Sequence, residues 1–499
     1  MIVEIGKTGL QQARARIYIW PSDSTGGPID VSADVKSLQT VKALDAPTGT
    51  FTIDLQPRIH DGVNVTQTGD SYRFTRYFEL FEAMSVVSIG AERDGGIMLG
   101  LVTATEESQN FQTGDRTVHI QGVDLGITLE DPIIRPLVVS ARYDQWKANV
   151  EALLGEGHPY VDLTATLGPK NANNERNFVN RSMEEVVRYI LDKVGTMRIP
   201  ALQDPLGGDG RIGDWLDTIR AVTSWDGNRV YGFDLHKYQG NIRGYLNAVI
   251  DPDFYELRID SVPRDWNLPR PTLILRPRPF DESPQRFPMK ESAGDGWEDT
   301  KTLVDEVPYH DIPMHEVLNA PFRRTGDSAI HFYQLTSSKD PAVTETGAKL
   351  GLAYPLLDGW IARKFASKRS YQANLNLVAG SPGDVIDLQA DVQNAIVDKR
   401  NHLANWFWWN PYSLTCSATV WGRDKYRVGD RVRFSWLRDP ITGQNGMTFY
   451  CTGVSQQWRP ESYLTTLQLE RGHGDGMIQA LIDRIDAELP NSGYASVDL

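Results

Sequence analysis

The chain has almost no cysteine, two in 499 residues. Two thiols cannot build a disulfide framework, so the fold must rest on its core, and a reducing cytoplasm is the expected place of synthesis. No run of about 18 apolar residues occurs, so no membrane-spanning helix is expected. The opening MIVEIGKTGLQQARARIYIW lacks a basic start followed by an apolar stretch, and no secretory leader is expected. Basic charge is short as well: 51 Lys and Arg face 65 Asp and Glu, a formal net charge of −14. Proteins that grip DNA regardless of sequence neutralise its phosphates and release counterions. This charge balance argues against such a grip, though not against DNA passing by.

Catalytic signatures are missing too. There is no G-x-S-x-G elbow and no H-E-x-x-H metal helix. The stretch YHDIPMHE offers His310, Asp311, His315 and Glu316. Its two histidines are five apart, a spacing that does not share a helix face, and Pro313 interrupts it. A polar turn is the expectation there. Asp204, Asp209, Asp214 and Asp217 fail the spacing of a calcium loop and read as a Gly-rich turn before a helix. No catalytic, cofactor-binding or metal-binding residue is therefore assigned. The aromatic run NWFWWNPY (405–412) suits either a sugar-stacking platform or a packing plug, and aromatics favour cores and interfaces. Cys416 and Cys451 fall on apolar faces and read as buried free thiols.

What the sequence has is aromatic and apolar mass, 40% apolar residues with 13 Trp, 19 Tyr and 16 Phe, on a length that calls for several domains. The first 135 residues read as β. In GTFTIDLQP, Phe51, Ile53 and Leu55 alternate with polar neighbours, the period of a half-buried strand. IMLGLVTAT and RTVHIQGVDL follow, around EESQNFQTGD read as a hairpin loop. Ser182 and Glu185 form a capping box before RSMEEVVRYILDKVG, and DWLDTIRAVTSWDG reads as a second helix. RVYGFDLHKYQGNIRGYL reads as two short strands. In the Pro-rich stretch 262–298 only TLIL reads as a strand, and a domain junction is placed there. A helix is expected over 385–407. SLTCSATVWG, YRVGDRVRF, GMTFYCTGVSQQW and YLTTLQLERG close the chain as a meander. A helix with Met477, Ile478, Leu481, Ile482 and Ile485 on one face follows, then a loose end. Residues 100–122 and 452–472 share a Gly close to a Val, a polar loop, an alternating strand and a final Gly. One barrel-like unit near each end is the expectation.

DVSADVKSLQTVKALDAPTGTFTIDLQP, IMLGLVTAT…RTVHIQGVDLGITLED, PTLILRPRPF, YSLTCSATVWGRDKYRVGDRVRF and FYCTGVSQQW…YLTTLQLERG occur in that order over about residues 25–475. In order and content they resemble the central baseplate hub proteins of contractile-tailed bacteriophages, the late control D-like tail hub family. The resemblance implies an α+β, mainly β fold with two similar β-barrel hub domains per subunit and helical and small α/β connecting domains. The corresponding division is 1–135 (first barrel), 136–265 (connecting domain), 266–475 (second barrel with helical insertions) and 476–499 (helix and tail). It implies a non-enzymatic homotrimer, a pseudo-sixfold ring that joins a sixfold tail tube to a threefold spike in the virion baseplate. Its implied partners are itself, the tail tube protein, a trimeric spike protein and baseplate wedge proteins, with genomic DNA passing through without specific binding. A carbohydrate-binding receptor protein of the virion and a tail-associated peptidoglycan hydrolase are the rival readings.

Overall fold

The structure, a computed structural model, describes residues 14–56, 74–130, 309–337, 356–365 and 403–488 with short breaks, and isolated stretches elsewhere between 133 and 498. It is mainly β, and its main feature is one 14-stranded sheet. The first seven strands are β1 (Arg16–Trp20), β2 (Ile29–Asp30), β3 (Val35–Ala43), β4 (Thr50–Leu55), β5 (Val86–Gly90), β6 (Met98–Gln109) and β7 (Arg116–Asp124). The other seven are β8 (Tyr309–Asp311), β9 (Val317–Asn319), β10 (Phe322–Arg323), β11 (Leu414–Trp421), β12 (Arg431–Arg438), β13 (Asn445–Arg459) and β14 (Ser462–Gly474).

Alternation makes these strands. Phe51, Ile53 and Leu55 of β4 are buried and their neighbours are not; Cys416, Ala418 and Val420 do the same in β11. The polar run Glu106–Gln109, expected in a hairpin loop, belongs to β6 instead and pairs with the start of β7. It reads as loop because that half of the strand carries no apolar face for a core.

The two ends of the chain repeat a five-strand order, although β1, which lies between β5 and β2, has no counterpart between β12 and β8. Both units have the same neighbour order, β3–β4–β7–β6–β5 in the first and β9/β10–β11–β14–β13–β12 in the second. Two of the irregularities coincide, although the second unit has others with no counterpart in the first. Val102 pairs with Gly122 and, past a bulge, Ala104 pairs with Gln121. Cys451 pairs with Leu469 and, past a bulge, Gly453 pairs with Gln468. Val35 faces Leu55 and Ser37 faces Asp54; Val317 faces Val420 and Asn319 faces Thr419, each pair of pairs separated by a shift. Bulges occupy defined places in a sheet and are not defects, so coincidence at two sites identifies one plan used twice. The Gly–Val likeness that hints at the repeat in sequence is out of register: it sets Gly100 near Gly453, whereas the bulges set Ala104 there.

The ladders among the described residues show no closed barrel where two were expected. Among the described residues neither unit closes by hydrogen bonding. In each, the terminal strands are linked covalently: β2 runs through the turn Ser32–Asp34 into β3, and β8 through Met314–Glu316 into β9. The units also merge. β3 pairs antiparallel with the outer half of β13, from Leu38 opposite Trp458 to Ala43 opposite Gly453. Trp458 and Tyr463 thereby enter the hydrophobic core of the first unit, with Leu38, Phe51 and Ile53. The larger second core holds Phe434, Phe449, Tyr450 and Leu467.

The middle of the chain docks on this junction. Strand Tyr255–Asp260 pairs with Thr272–Pro277, which contains the expected TLIL strand. From it the carbonyl of Ile259 accepts from Lys42 of β3, and Glu256 accepts from Tyr450 of β13. Arg220–Ala221 is a strand parallel to Thr272–Pro277, not helix, and Arg181–Ser182 pairs with Arg229–Val230. The rest of the helices expected over 181–195 and 214–227 lies outside the described residues. Gly240–Asn241 is a strand, but Ile242–Val249 beyond it is helical. Of the helix expected over 385–407, residues 403–407 are helical, and most of the remainder lies outside the described residues. Helix Met477–Glu488 buries Met477, Ile478, Leu481 and Ile485 as its spacing requires. The end is not loose throughout, because Ser496–Asp498 pairs with Leu356–Asp358.

Candidate assembly interface

The residues that tempted a chemical reading are tied up structurally. His310 Nε2 lies 2.8 Å from Asp430 Oδ2 and its ring meets Tyr426 edge-on. Glu316 faces Arg423 at 3.6 Å, while His315 is exposed and Asp311 pairs in β8. YHDIPMHE is thus the corner that links β8 to β9, the counterpart of PIDVSADV between β2 and β3. Val31 and Ile312, one residue apart in the shared register, are both buried near the corner and donate their amides to strand carbonyls, Val31 to Ile17 of β1 and Ile312 to Arg433 of β12. Asp204, Asp209, Asp214 and Asp217 lie outside the described residues.

NWFWWNPY is a packing plug. Trp406, Trp408, Trp409 and Tyr412 are all buried. Arg471 lies between two of them, its guanidinium carbon 3.7 Å from the Trp406 ring centroid and 4.1 Å from that of Trp409. It donates to Asn410 Oδ1 at 2.7 Å and to the Trp406 carbonyl at 2.9 Å. Cys416 and Cys451 are free and buried, both opposite Leu469 on the two sides of β14. Burial pushes the Cys416 thiol up to about 12 and raises that of Cys451 as well.

Among the described residues, two sheet edges have no partner strand. β5 covers β6 only as far as Leu101, and the amide and carbonyl of Val102 still bond to Ser85 and Met84. Beyond that point, no strand among the described residues pairs with this edge of β6. At the opposite end of the sheet, β9 and β10 pair with β11 on one side, and no described strand pairs with the other. Pro321 separates β9 from β10 because it has no amide to give the ladder.

Large apolar side chains lie exposed beside both edges. Met84 and Phe74 lie beside residues bonded to β6, and Met314, Leu318 and Trp421 lie on or next to β9 and β11, Met314 being 68% exposed. Grouped exposed apolar residues mark contact surfaces, and an open strand edge is a template for pairing with another chain. Sequence reasoning missed these edges. Strand alternation identifies faces, whereas an edge depends on which strand lies alongside.

No family model matches the sequence, and no curated protein matches it. Several solved structures share its outline loosely. The tail protein from Neisseria meningitidis MC58 is 12% identical, with a TM-score of 0.40 over 93% of this chain and 98% of that one. The 43 kDa tail protein of prophage MuSo2 from Shewanella oneidensis is 9% identical, with a TM-score of 0.44 over 91% and 98%. The E. coli c3393 protein is described as a type VI secretion component with structural similarity to the T4 bacteriophage tail proteins gp27 and gp5. It is 7% identical, with a TM-score of 0.38 over 89% and 74%. Likenesses this loose assign no shared activity.

Proposed function

We propose that the chain is a non-enzymatic structural subunit of a phage tail, the baseplate hub. Three copies form a pseudo-sixfold ring that adapts a sixfold tail tube to a threefold spike and passes the genome along its axis. The observation that carries this reading is the duplication: two units that share the order of five strands, joined edge to edge inside one chain. A unit that binds its duplicate through strand edges can repeat the contact between chains. Head-to-tail contacts of that kind close into rings where the rotation permits. Three two-unit chains make six units, which present sixfold repetition to one neighbour and threefold to the other. The ordered sequence resemblance to hub proteins supports the same assignment. It adds the partners: two further copies, the tail tube protein, a trimeric spike and baseplate wedge proteins, in a virion baseplate assembled in the host cytoplasm. A sugar-binding role leaned on NWFWWNPY, of whose rings Trp406, Trp408, Trp409 and Tyr412 are buried and Phe407 is half-buried.

The charge fits a conduit. Each phosphate neutralised by a wall adds salt-reversible affinity, with a slope of about −0.9 per contact, so a basic channel would trap the genome. A net charge of −14 per chain permits a wall without net positive charge. The test is light scattering with negative-stain microscopy of the purified chain. Three times the 56.0 kDa of one chain and a six-lobed ring are expected. A monomer with no ring, or a channel lined mainly by Arg and Lys, would overturn the reading.

A further inference from the structure

The contact that holds the two units of one chain together also specifies how chains meet. In the intrachain junction, β3 lies along the outer half of β13, with Val41 opposite Ser455 and Gln39 opposite Gln457. The shared bulges and pairings give each of these residues a counterpart in the other unit. β9 and β10 stand where β3 stands, because Phe322 faces Cys416 as Thr40 faces Phe51. β6 stands where β13 stands, because Met98 faces Ile89 of β5 as Met447 faces Phe434 of β12. These counterparts are the two edges that no described strand covers.

We infer that the open edge of β6 is filled by the β9–β10 edge of a second copy of this chain, in the register of the intrachain junction. Transposed residue by residue, Arg323 takes the place of Val41 and Glu106 that of Ser455, so Arg323 comes opposite Glu106. Arg324 comes opposite Thr105, Pro321 opposite Ser108 and Ala320 opposite Gln109. The outward pair of the new contact is therefore a cation facing an anion, both exposed in the single chain. Opposite charges directly across a strand pair stabilise it, and like charges destabilise it. Gln109 adds an independent sign. Its Oε1 is buried with no hydrogen-bond partner, at the position where Trp458 of β13 reaches into the neighbouring unit. The inward pair matches its template less closely. Thr40 and Gln456 are linked by a 3.4 Å hydrogen bond, whereas Phe322 would meet Glu107, whose carboxylate already accepts from Thr75.

This pairing rests on the ring reading but fails separately from it. The double variant Glu106→Cys with Arg323→Cys, in the full chain under mild oxidation, should give covalent oligomers on a non-reducing gel. Each single variant should give none. Charge reversal supplies a second readout. Glu106→Arg or Arg323→Glu alone should weaken self-association by about tenfold, and the two together should restore it. Rings on the grid whose double-cysteine form never cross-links would sink this register and leave the ring reading standing. Cross-linked chains that grow into open filaments would keep the edge pairing and overturn the ring. A chain that stays monomeric, with charge reversals that change nothing, would overturn the pairing itself.

Discussion

Replacing Arg471 by Ala should be among the most damaging single changes in the second unit. The side chain is only 7% exposed and fills the slot between Trp406 and Trp409. A desolvated cation over aromatic faces contributes about 2 kcal/mol. Truncation also strips donors from the half-buried Asn410 Oδ1, which water can still reach, and from the buried Trp406 carbonyl, and a buried acceptor left bare costs about 1–3 kcal/mol. The expected loss is roughly 3–5 kcal/mol, read as a shift of the urea midpoint followed by tryptophan fluorescence. The backbone supplies an internal control. Arg471 sits at φ 54°, in the left-handed region, which costs a side chain about 1–2 kcal/mol and glycine almost nothing. Arg471→Gly should therefore be less harmful than Arg471→Ala by about 1 kcal/mol. An alanine variant within about 1 kcal/mol of the parent would refute the stacking argument. Equal alanine and glycine variants would refute the backbone one.

Native protein at pH 8 should leave Cys416 and Cys451 unlabelled by a thiol reagent, and denaturation should expose both; labelling of folded protein within minutes would contradict their burial. Both thiols are raised, so the unfolded chain ionises first, and stability should fall as pH rises from about 9 toward 12. At Asp54, burial pushes the carboxyl up, but hydrogen bonds from Ser37 and His119 outweigh it and hold it below the ordinary value. A lowered carboxylate contributes stability above its unfolded value and loses it as pH falls through the folded one. Asp54→Asn should flatten the acid side of the stability profile below about pH 4, and an unchanged profile would count against the pairing. Gly122→Ala would put a methyl 2.2 Å from Phe51 Cζ and 2.3 Å from the Leu101 carbonyl. Thermal denaturation should show a loss of about 1–3 kcal/mol or more, with partial recovery when Phe51 is also shortened to Leu. Deleting residues 496–499 removes a strand paired with Leu356–Asp358. Lowered stability is expected, and an unaffected melting point would return that segment to the status of a tail.

How far the sequence could be read follows from what each feature depends on. β4, β7, β11 and the helix Met477–Glu488 were legible because burial of one face leaves a period in the residues themselves. Val118 and Ile120 of β7 show it directly, buried between exposed or half-buried neighbours. Arg220–Ala221 misled because DWLDTIRAV carries a helical period while its parallel pairing with Ile274 and Leu275 is a tertiary contact that no local pattern encodes. The duplication was half legible. Its strands were found, but matching glycines and valines put the copies out of step, because residues at equivalent places need not be alike. Phe51 and Cys416 fill the same position, as do Leu55 and Val420. What the two units have in common is the place of two bulges, and a bulge is a relation between two strands. The same reasoning explains why the edges escaped notice. Glu106 and Ser108 read as part of a hairpin loop, and nothing in the residues around Arg323 and Arg324 marks an edge. Only when β3 against β13 supplies a register do Glu106 and Arg323 become partners, so the interface is written in the topology before it is visible in any single stretch of residues.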